Sequence, residues 1–190
     1  MKRKGLLFVI SGPSGCGKTT LGEEIISGNK NLVRSVSVTT RPPRRGERRG
    51  KAYFFVNDKE FMELKKRNKL LEWAKVFGYF YGTPREFVVR KISQGKDVVL
   101  IIDVQGAMQV KKKFPHAVFI FIAPPSLQAL RERLKKRGLD SSSEIEKRLR
   151  QAKKEMEFKR EYNYILINDD LDVAKKILNA IITLERLNKK

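Results

Sequence analysis

Residues Gly12 to Thr19 read GPSGCGKT, and the reading of this stretch decides the fold. Ahead of it stands Leu6-Leu7-Phe8-Val9-Ile10, an apolar run of strand length, and behind it Thr20 to Ile26 form a helix-permissive segment. A strand, a loop spaced G-x-x-x-x-G-K-[ST] and a helix together make a phosphate-binding loop. Glycines at positions 12, 15 and 17 let the backbone bend until successive N–H groups point inward at an anion. Pro13, Ser14 and Cys16 fill the remaining loop positions, and the helix behind adds the positive end of its dipole. Lys18 brings a movable positive charge to the outer phosphates, and Thr19, followed by Thr20, offers a hydroxyl to Mg²⁺. Eight-residue glycine patterns also arise by chance, but the flanks here are the ones the motif requires. The chain is expected to bind a nucleoside triphosphate.

Composition narrows the setting. A chain of 190 residues suits one domain with inserted lobes, and a hydrophobic share of 41% is enough for a core. No apolar run nears the ~20 residues that cross a bilayer. The basic start Met1-Lys2-Arg3-Lys4 lacks the long apolar region and cleavage site of a secretory signal before the glycine loop intervenes, so a cytoplasmic location is expected. Cys16 is the only cysteine, which excludes an internal disulfide; it reads as a small residue at a variable loop position rather than as a reactive thiolate. His116, the only histidine, sits beside Pro115 away from any acid-rich motif, so neither zinc nor histidine-based catalysis is expected. The net charge of +21 fits either a nucleic-acid surface or a solvated exterior around a polyphosphate site. The basic residues are spread along the chain and form no named nucleic-acid module, so neither nucleic acid nor membrane is expected as a partner.

Outward from the loop, the pattern alternates strands and helices. Asp97 to Asp103, Ala117 to Ala123 and Tyr164 to Asn168 read as buried parallel strands separated by helices, a βαβ rhythm that implies a helix-covered parallel sheet. Asp103, at a strand's carboxyl end, falls where ligands gather in open α/β sheets. Residues 33–38 alternate as one half-buried strand would. A helix is expected from Asn57-Asp58 through Asn68, a strand or turn at Leu70 to Ala74, an aromatic strand at Tyr79 to Pro84 and a helix from there through Gln94. Pro124-Pro125-Ser126 caps a helix carrying Arg131, Arg133 and Arg137, and Gly138 ends it. Ser141 and Glu144 are spaced as a capping box for the next helix, which contains Arg148 and Arg150. Most of these arginines read as solvated faces paired with Glu132, Glu144 or Glu146, with one or two left to cover the triphosphate. Leu171 to Leu187 is expected as an amphipathic helix whose inner face is Val173, Ile177, Ala180, Ile181 and Leu184.

A second anion site is expected in the stretch Thr39 to Gly50. Its two prolines and two glycines among five arginines make a loop. Arg41 and Arg44 bracket the stiff Pro42-Pro43 pair, which would hold two guanidinium forks at a fixed separation suited to a phosphate monoester. Tyr53 can join the same anion, and Glu72, one acid among apolar neighbours, must have a partner because a buried unpaired charge is costly.

With two anion sites, an isolated carboxylate and an arginine-bearing lid assembled, the sequence resembles the guanylate kinases. The matching segments are GPSGCGKTT, SVSVTTRPPRRGERRGKAYFFV, LEWAKVFGYFYGTP, IDVQG, FIAPPS, LKKRG, EIEKRL and YILINDDLD, in family order from residue 6 to about 172. The resemblance implies a P-loop NTPase-type three-layer α/β/α core over 1–36, 92–130 and 155–190, an inserted GMP-binding lobe at 37–91 and a small helical lid at 131–154. It also implies transfer of the γ-phosphoryl of ATP to GMP with Mg²⁺, dGMP being a further acceptor, and leaves monomer or homo-oligomer undecided. Arg41, Arg44, Tyr53 and Tyr81 match residues that hold the GMP phosphate. Glu72 matches the acceptor of the guanine N1 and N2 hydrogens, with Ser37 and Thr83 as hydroxyl partners and Asp103 near the guanine edge. Gly12 to Thr20 match the ATP phosphate site, Lys18 and Thr19 included, with Asn168 near the adenine pocket. Arg133, Arg137 and Arg148 match arginines that close over the transferring group, Arg137 also touching ATP. One departure is Ile101, where many members carry an acid. Three alternatives stay open on sequence: a non-catalytic relative that binds phosphorylated peptides, a kinase of a ribose phosphate, and a nucleic-acid binder.

Overall fold

The computed structural model describes residues 4–44 and 46–188, so the basic start Met1 to Arg3, Arg45 of the arginine loop and the last two residues of the expected core lie outside the described residues. The chain forms two compact units. One takes the described residues up to Leu7 with Asn31–Leu100 and Gln105–Ala117; the other takes Phe8–Lys30, Ile101–Val104 and the described residues from Val118 on.

The phosphate loop belongs to the second unit. There β1 (Leu7–Ser11), β8 (Val118–Ala123) and β9 (Tyr164–Ile167) run parallel, with β8 pairing both others: Phe8 stands against Val118, and Ile120 against Tyr164. α1 (Lys18–Ser27) follows β1, α5 (Leu127–Arg137) and α6 (Ser142–Glu157) supply the β8-to-β9 crossover that parallel pairing demands, and α7 (Leu171–Asn188) follows β9. Every residue of β1 and β8 is buried, as near-continuous apolar runs require when helices cover both faces. Ser126 caps α5 by accepting from the Ala129 N–H at 3.0 Å, and Ser141 with Glu144 forms the expected capping box on α6.

The first unit is built on pairing of both senses. β2 (Leu32–Arg34) lies parallel to β7 (Asp97–Ile101). A second sheet has the order β4-β3-β6-β5, from β3 (Val38–Thr39), β4 (Phe54–Phe55), β5 (Leu70–Val76) and β6 (Tyr79–Pro84). Helices α2 (Asp58–Lys66), α3 (Arg85–Ser93) and α4 (Val104–Lys113) complete the element list. Buried Val38, Phe61 and Leu70 form the core of this lobe, with Trp73 and Phe80 packed against it and the Phe61 and Phe80 rings stacked at 5.2 Å.

Three expectations need correction. The alternation at 33–38 covers two strands, because β2 ends at Arg34, with a last bond from the Ser35 N–H to the Val99 carbonyl at 3.1 Å, before Val38 joins the other sheet. The strand at 97 ends at Ile101, two residues short of Asp103; Ile102 still donates its N–H to the Ile10 carbonyl at 3.1 Å, and α4 begins at Val104. The inner face of α7 is Ala174, Leu178, Ile181 and Ile182, whereas Val173, Ile177, Ala180 and Leu184 are exposed. The helix carries two apolar stripes, and periodicity alone cannot say which one the sheet takes. In a smaller adjustment, α2 stops at Lys66, before Asn68 turns left-handed at φ 52°.

Candidate functional site

Two polar clusters hold the residues singled out from sequence, one in each unit. In the second unit the loop after β1 takes the conformation its glycines permit. Gly12 adopts φ 142°, and a Cβ there would stand 2.1 Å from the Ile122 carbonyl oxygen. Gly17, the N-cap of α1, adopts φ 93°, and a Cβ would strike Asn168 Nδ2 at 2.3 Å. No side chain caps this helix and no acid occupies its first turn, so its leading N–H groups remain for an anion. Lys18 Nζ donates to the carbonyls of Gly12 at 2.7 Å and Pro13 at 2.8 Å. Neutral acceptors hold an ammonium less strongly than phosphoryl oxygens, so the charge is parked where a nucleotide can draw it out. Thr19 and Thr20 are exposed at the start of the helix.

Asn168, expected near the adenine pocket, lies against the loop. It is buried, and its Nδ2 donates to the Cys16 carbonyl at 2.8 Å, bracing the loop from behind. Cys16 is fully buried, and that burial pushes its thiol above the usual range despite the neighbouring Lys18, which accords with a packing role. The arginines of α5 and α6 divide. Arg148 Nη1 donates to Ser14 Oγ of the loop at 3.0 Å while Nη2 binds Asp140 Oδ1 at 2.9 Å. Arg131 makes the expected two-point ion pair with Glu146. Arg133 Nη2 reaches the Asp169 carbonyl at 3.2 Å, and Arg137 is exposed at the end of α5.

Beneath the loop lies a group that sequence reading missed. Ser11 Oγ, Glu155 Oε2 and Tyr162 OH are buried without hydrogen-bond partners. Burial pushes the Glu155 carboxyl up, against a hydrogen bond from Gln151 and the charge of Lys18, and nearby Asp103 pushes it the same way. Burial likewise raises the Tyr162 phenol. A signal existed for Glu155: it continues the buried stripe Ile145, Leu149, Ala152 of α6, where an apolar residue is expected. Among the described residues no group of three or more His, Cys, Asp or Glu could hold a metal. The donor set still suits Mg²⁺, which takes one or two protein oxygens and completes its shell with phosphate and water.

The lobe of the first unit builds its anion site from side chains. Arg41, only 8% exposed, gives Nη2 to both oxygens of Glu47 at 2.8 and 2.9 Å, Nε to Tyr81 OH at 3.2 Å and Nη1 to the Pro42 carbonyl at 2.8 Å. Its guanidinium also lies 5.5 Å from the centre of the Tyr53 ring. Partial burial raises Glu47, but the Arg41 hydrogen bond and the Arg44 N–H at 2.8 Å outweigh it and hold the carboxyl below its usual range. The Arg44 side chain is exposed. Sequence reading left out Glu47, although a lone acid among five arginines was the available signal. Tyr53 and Tyr81 meet edge to face at 5.8 Å, and burial raises the Tyr53 phenol. Glu72, 2% exposed, accepts from Thr83 Oγ1 at 2.6 Å, which gives the isolated acid the partner its burial demands. Gln109 fixes the neighbouring strand by donating to the Trp73 carbonyl at 2.6 Å. Ser37 sits just before β3, its carbonyl accepting from Phe54. The structure thus brings Arg41, Arg44, Tyr53 and Tyr81 together around Glu47, and Glu72 with Thr83. Asp103 falls in the second unit, with the phosphate loop.

Comparison with known proteins agrees with this arrangement. A family model described as guanylate kinase matches residues 4–185. A guanylate kinase of Caldanaerobacter subterraneus is 52% identical over 98% of this chain and 90% of its own length, and one of Thermotoga maritima is 50% identical over 96% and 88%. A solved guanylate kinase structure from Anaplasma phagocytophilum superposes with a TM-score of 0.80 at 36% identity, covering 99% of this chain and 88% of that one. The chain belongs to the guanylate kinase family.

Proposed function

We propose that the chain transfers the γ-phosphoryl group of ATP to GMP, giving ADP and GDP, in the cytoplasm. The observation that carries the choice of acceptor is the Glu72–Thr83 pair. A carboxylate 2% exposed, fixed by a hydroxyl at 2.6 Å, is an immobile acceptor. Guanine carries donors at N1 and N2 where adenine has none, and a site built to pair such donors rejects a ligand lacking them by factors on the order of 10⁴. Ser37 adds a hydroxyl to that pocket. Arg41, Arg44, Tyr53 and Tyr81 take the GMP phosphate, which displaces Glu47 from the Arg41 fork.

The donor binds at Gly12 to Thr20, with Asn168 bracing the cradle that faces it. Lys18 leaves the Gly12 and Pro13 carbonyls for the outer phosphates. A GMP phosphate oxygen attacks the γ-phosphorus in line with the departing oxygen of ADP. Little covalent chemistry falls to the protein in such a transfer; positioning and positive charge do most of it. Arg148, already at Ser14, and Arg133 and Arg137 on α5 neutralise the moving charge, while closure of residues 131–154 as a lid excludes water. Residues 37–91 serve as the acceptor lobe, and 1–36, 92–130 and 155–190 as the core. Thr19 would hold Mg²⁺ together with the nucleotide's phosphates, and the ion would supply charge neutralisation there.

The test is turnover of GMP, dGMP, AMP, UMP and CMP with ATP and Mg²⁺. GMP and dGMP should be phosphorylated and the others by at most a trace. Equal rates for AMP and GMP would remove Glu72 from its role, and no turnover by folded protein would favour a binding module.

A further inference from the structure

Glu72 stands where its strand breaks register. Leu70 of β5 pairs with Pro84 of β6, and the next pair joins Trp73 to Gly82. Two residues, Leu71 and Glu72, therefore oppose one, Thr83. That count is a β-bulge, which bends its strand and re-aims a side chain. Gly82 leaves it room: a Cβ there would stand 3.1 Å from the Glu72 carbonyl oxygen and 2.9 Å from the Leu70 side chain. The Thr83 hydroxyl then meets the carboxylate of the bulge it opposes, at 2.6 Å.

A bulge loosens the ladder on one side, so the other side decides how firmly Glu72 is aimed. β5 is an edge of its sheet, in the order β4-β3-β6-β5, and an edge presents N–H and C=O groups that need partners. α4 supplies them. The Gln109 amide takes both backbone groups of Trp73: its Oε1 accepts the N–H at 3.3 Å, and its Nε2 donates to the carbonyl at 2.6 Å. Lys113 Nζ donates to the Leu71 carbonyl at 2.6 Å. Gln109 and Lys113 lie four residues apart, on one face of the helix. Their targets are the residues immediately before and after Glu72. Covering an edge against aggregation would not require this choice of register. A slip of one residue turns every side chain of a strand to the opposite face, and it would carry Glu72 away from Thr83.

We propose that Gln109 and Lys113 are positioning residues for the acceptor: by gripping the backbone on both sides of Glu72, they fix the bulge that aims its carboxylate at the base. The inference rests on the reading of Glu72 as the acceptor of the guanine N1 and N2 hydrogens. In this role neither side chain needs to touch the nucleotide, because each acts through Glu72.

Steady-state kinetics of the full chain test this, with GMP and with inosine monophosphate, which keeps the N1 donor and lacks the N2 amino group. Gln109→Leu should raise the KM for GMP about tenfold and leave the KM for ATP alone, with kcat held within about twofold. The same variant should cut the preference for GMP over inosine monophosphate by about tenfold. Lys113→Met should raise the KM for GMP about threefold, and Lys113→Arg, which keeps a donor for the Leu71 carbonyl, should restore it. In a Glu72→Ala background, Gln109→Leu should change the KM for GMP no further, since the group it positions is gone. A residue that only stabilises the lobe would lower the melting temperature without moving the preference between the two bases. An unchanged KM and preference in Gln109→Leu overturns the proposal, and so does an equal loss with and without Glu72. Glu72→Ala by itself keeps the two readings apart: if that variant binds GMP like the native chain, the guanine role of Glu72 fails first, and this inference with it.

Discussion

The phosphate loop and the Arg41–Glu72 lobe, the two sites of the proposed transfer, are made of different material. The loop is a backbone device: its donors are consecutive N–H groups, and its requirements are glycines at set positions and one lysine. The lobe is a side-chain device: Arg41 is held by Glu47 six residues on and by Tyr81 forty residues on, and Glu72 by Thr83 eleven residues on. A backbone cradle costs nothing in rotamer freedom and tolerates only small residues. A side-chain cradle must be immobilised by partners, each able to compete with the ligand. The first tolerates no added Cβ at Gly12 or Gly17; the second can be tuned one partner at a time.

Variants can break this contrast. Lys18→Ala removes the only mobile charge of the backbone device and should lower kcat on the order of 10²–10³-fold with the melting temperature unchanged. Retained turnover would make the N–H groups sufficient by themselves. Glu72→Ala should raise the KM for GMP about 10²-fold and leave the KM for ATP alone, since Thr83 loses its acceptor and guanine its partner. An equal change in both constants would mean that the two devices are not separable. Arg44→Lys should weaken GMP by about tenfold, because the exposed side chain loses its fork while its backbone N–H still holds Glu47. Asp140→Asn should reduce kcat severalfold at unchanged KM for GMP, by loosening the hold that presents Arg148 to Ser14.

The smallest effect is one of pH. The Glu155 carboxyl is raised in the folded chain, so its ionised form disfavours folding above that raised value, and the penalty disappears below the ordinary carboxylate range. Glu155→Gln should therefore raise the melting temperature slightly at neutral pH and leave it unchanged in acid. A stabilisation that persists in acid would trace to packing instead of charge.

The same contrast explains what the sequence made legible. The loop was readable because its chemistry is local: eight consecutive residues and their flanks contain all of it. The parallel strand at 118–123 was readable because burial on both faces leaves an apolar run. The run at 164–167, expected to be buried too, is instead an edge strand with Ile165 and Ile167 exposed and only Leu166 buried. Arg41, Tyr53 and Glu72 stood out from their own surroundings in the sequence, and Tyr81 and Thr83 from the resemblance to a family. The lock that Glu47 places on Arg41 was not foreseen, since no spacing rule joins an arginine to a carboxylate across a proline loop. Asn168 was named from the resemblance as near an adenine pocket, and the long-range contact of its amide with the Cys16 carbonyl, 152 residues away, carried no sequence signal. On α7 the error was a rotation. Two stripes compete for one helix, and only the tertiary contacts of Leu178 and Ile182 decide between them.

The helices α5 and α6, which carry Arg131, Arg133 and Arg148, have an interior of their own. Leu130, Leu134, Ile145, Leu149 and Ala152 form a buried cluster, and Arg131 with Glu146 ties α5 to α6 across its rim. A Cβ on Gly15 would meet Leu134 at 2.9 Å and Leu130 at 3.1 Å, so the phosphate loop rests directly on that cluster. The hairpin is thus the bearing on which the cradle turns. Whatever temperature loosens it sets the ceiling for work by this chain, even while the sheet behind still stands.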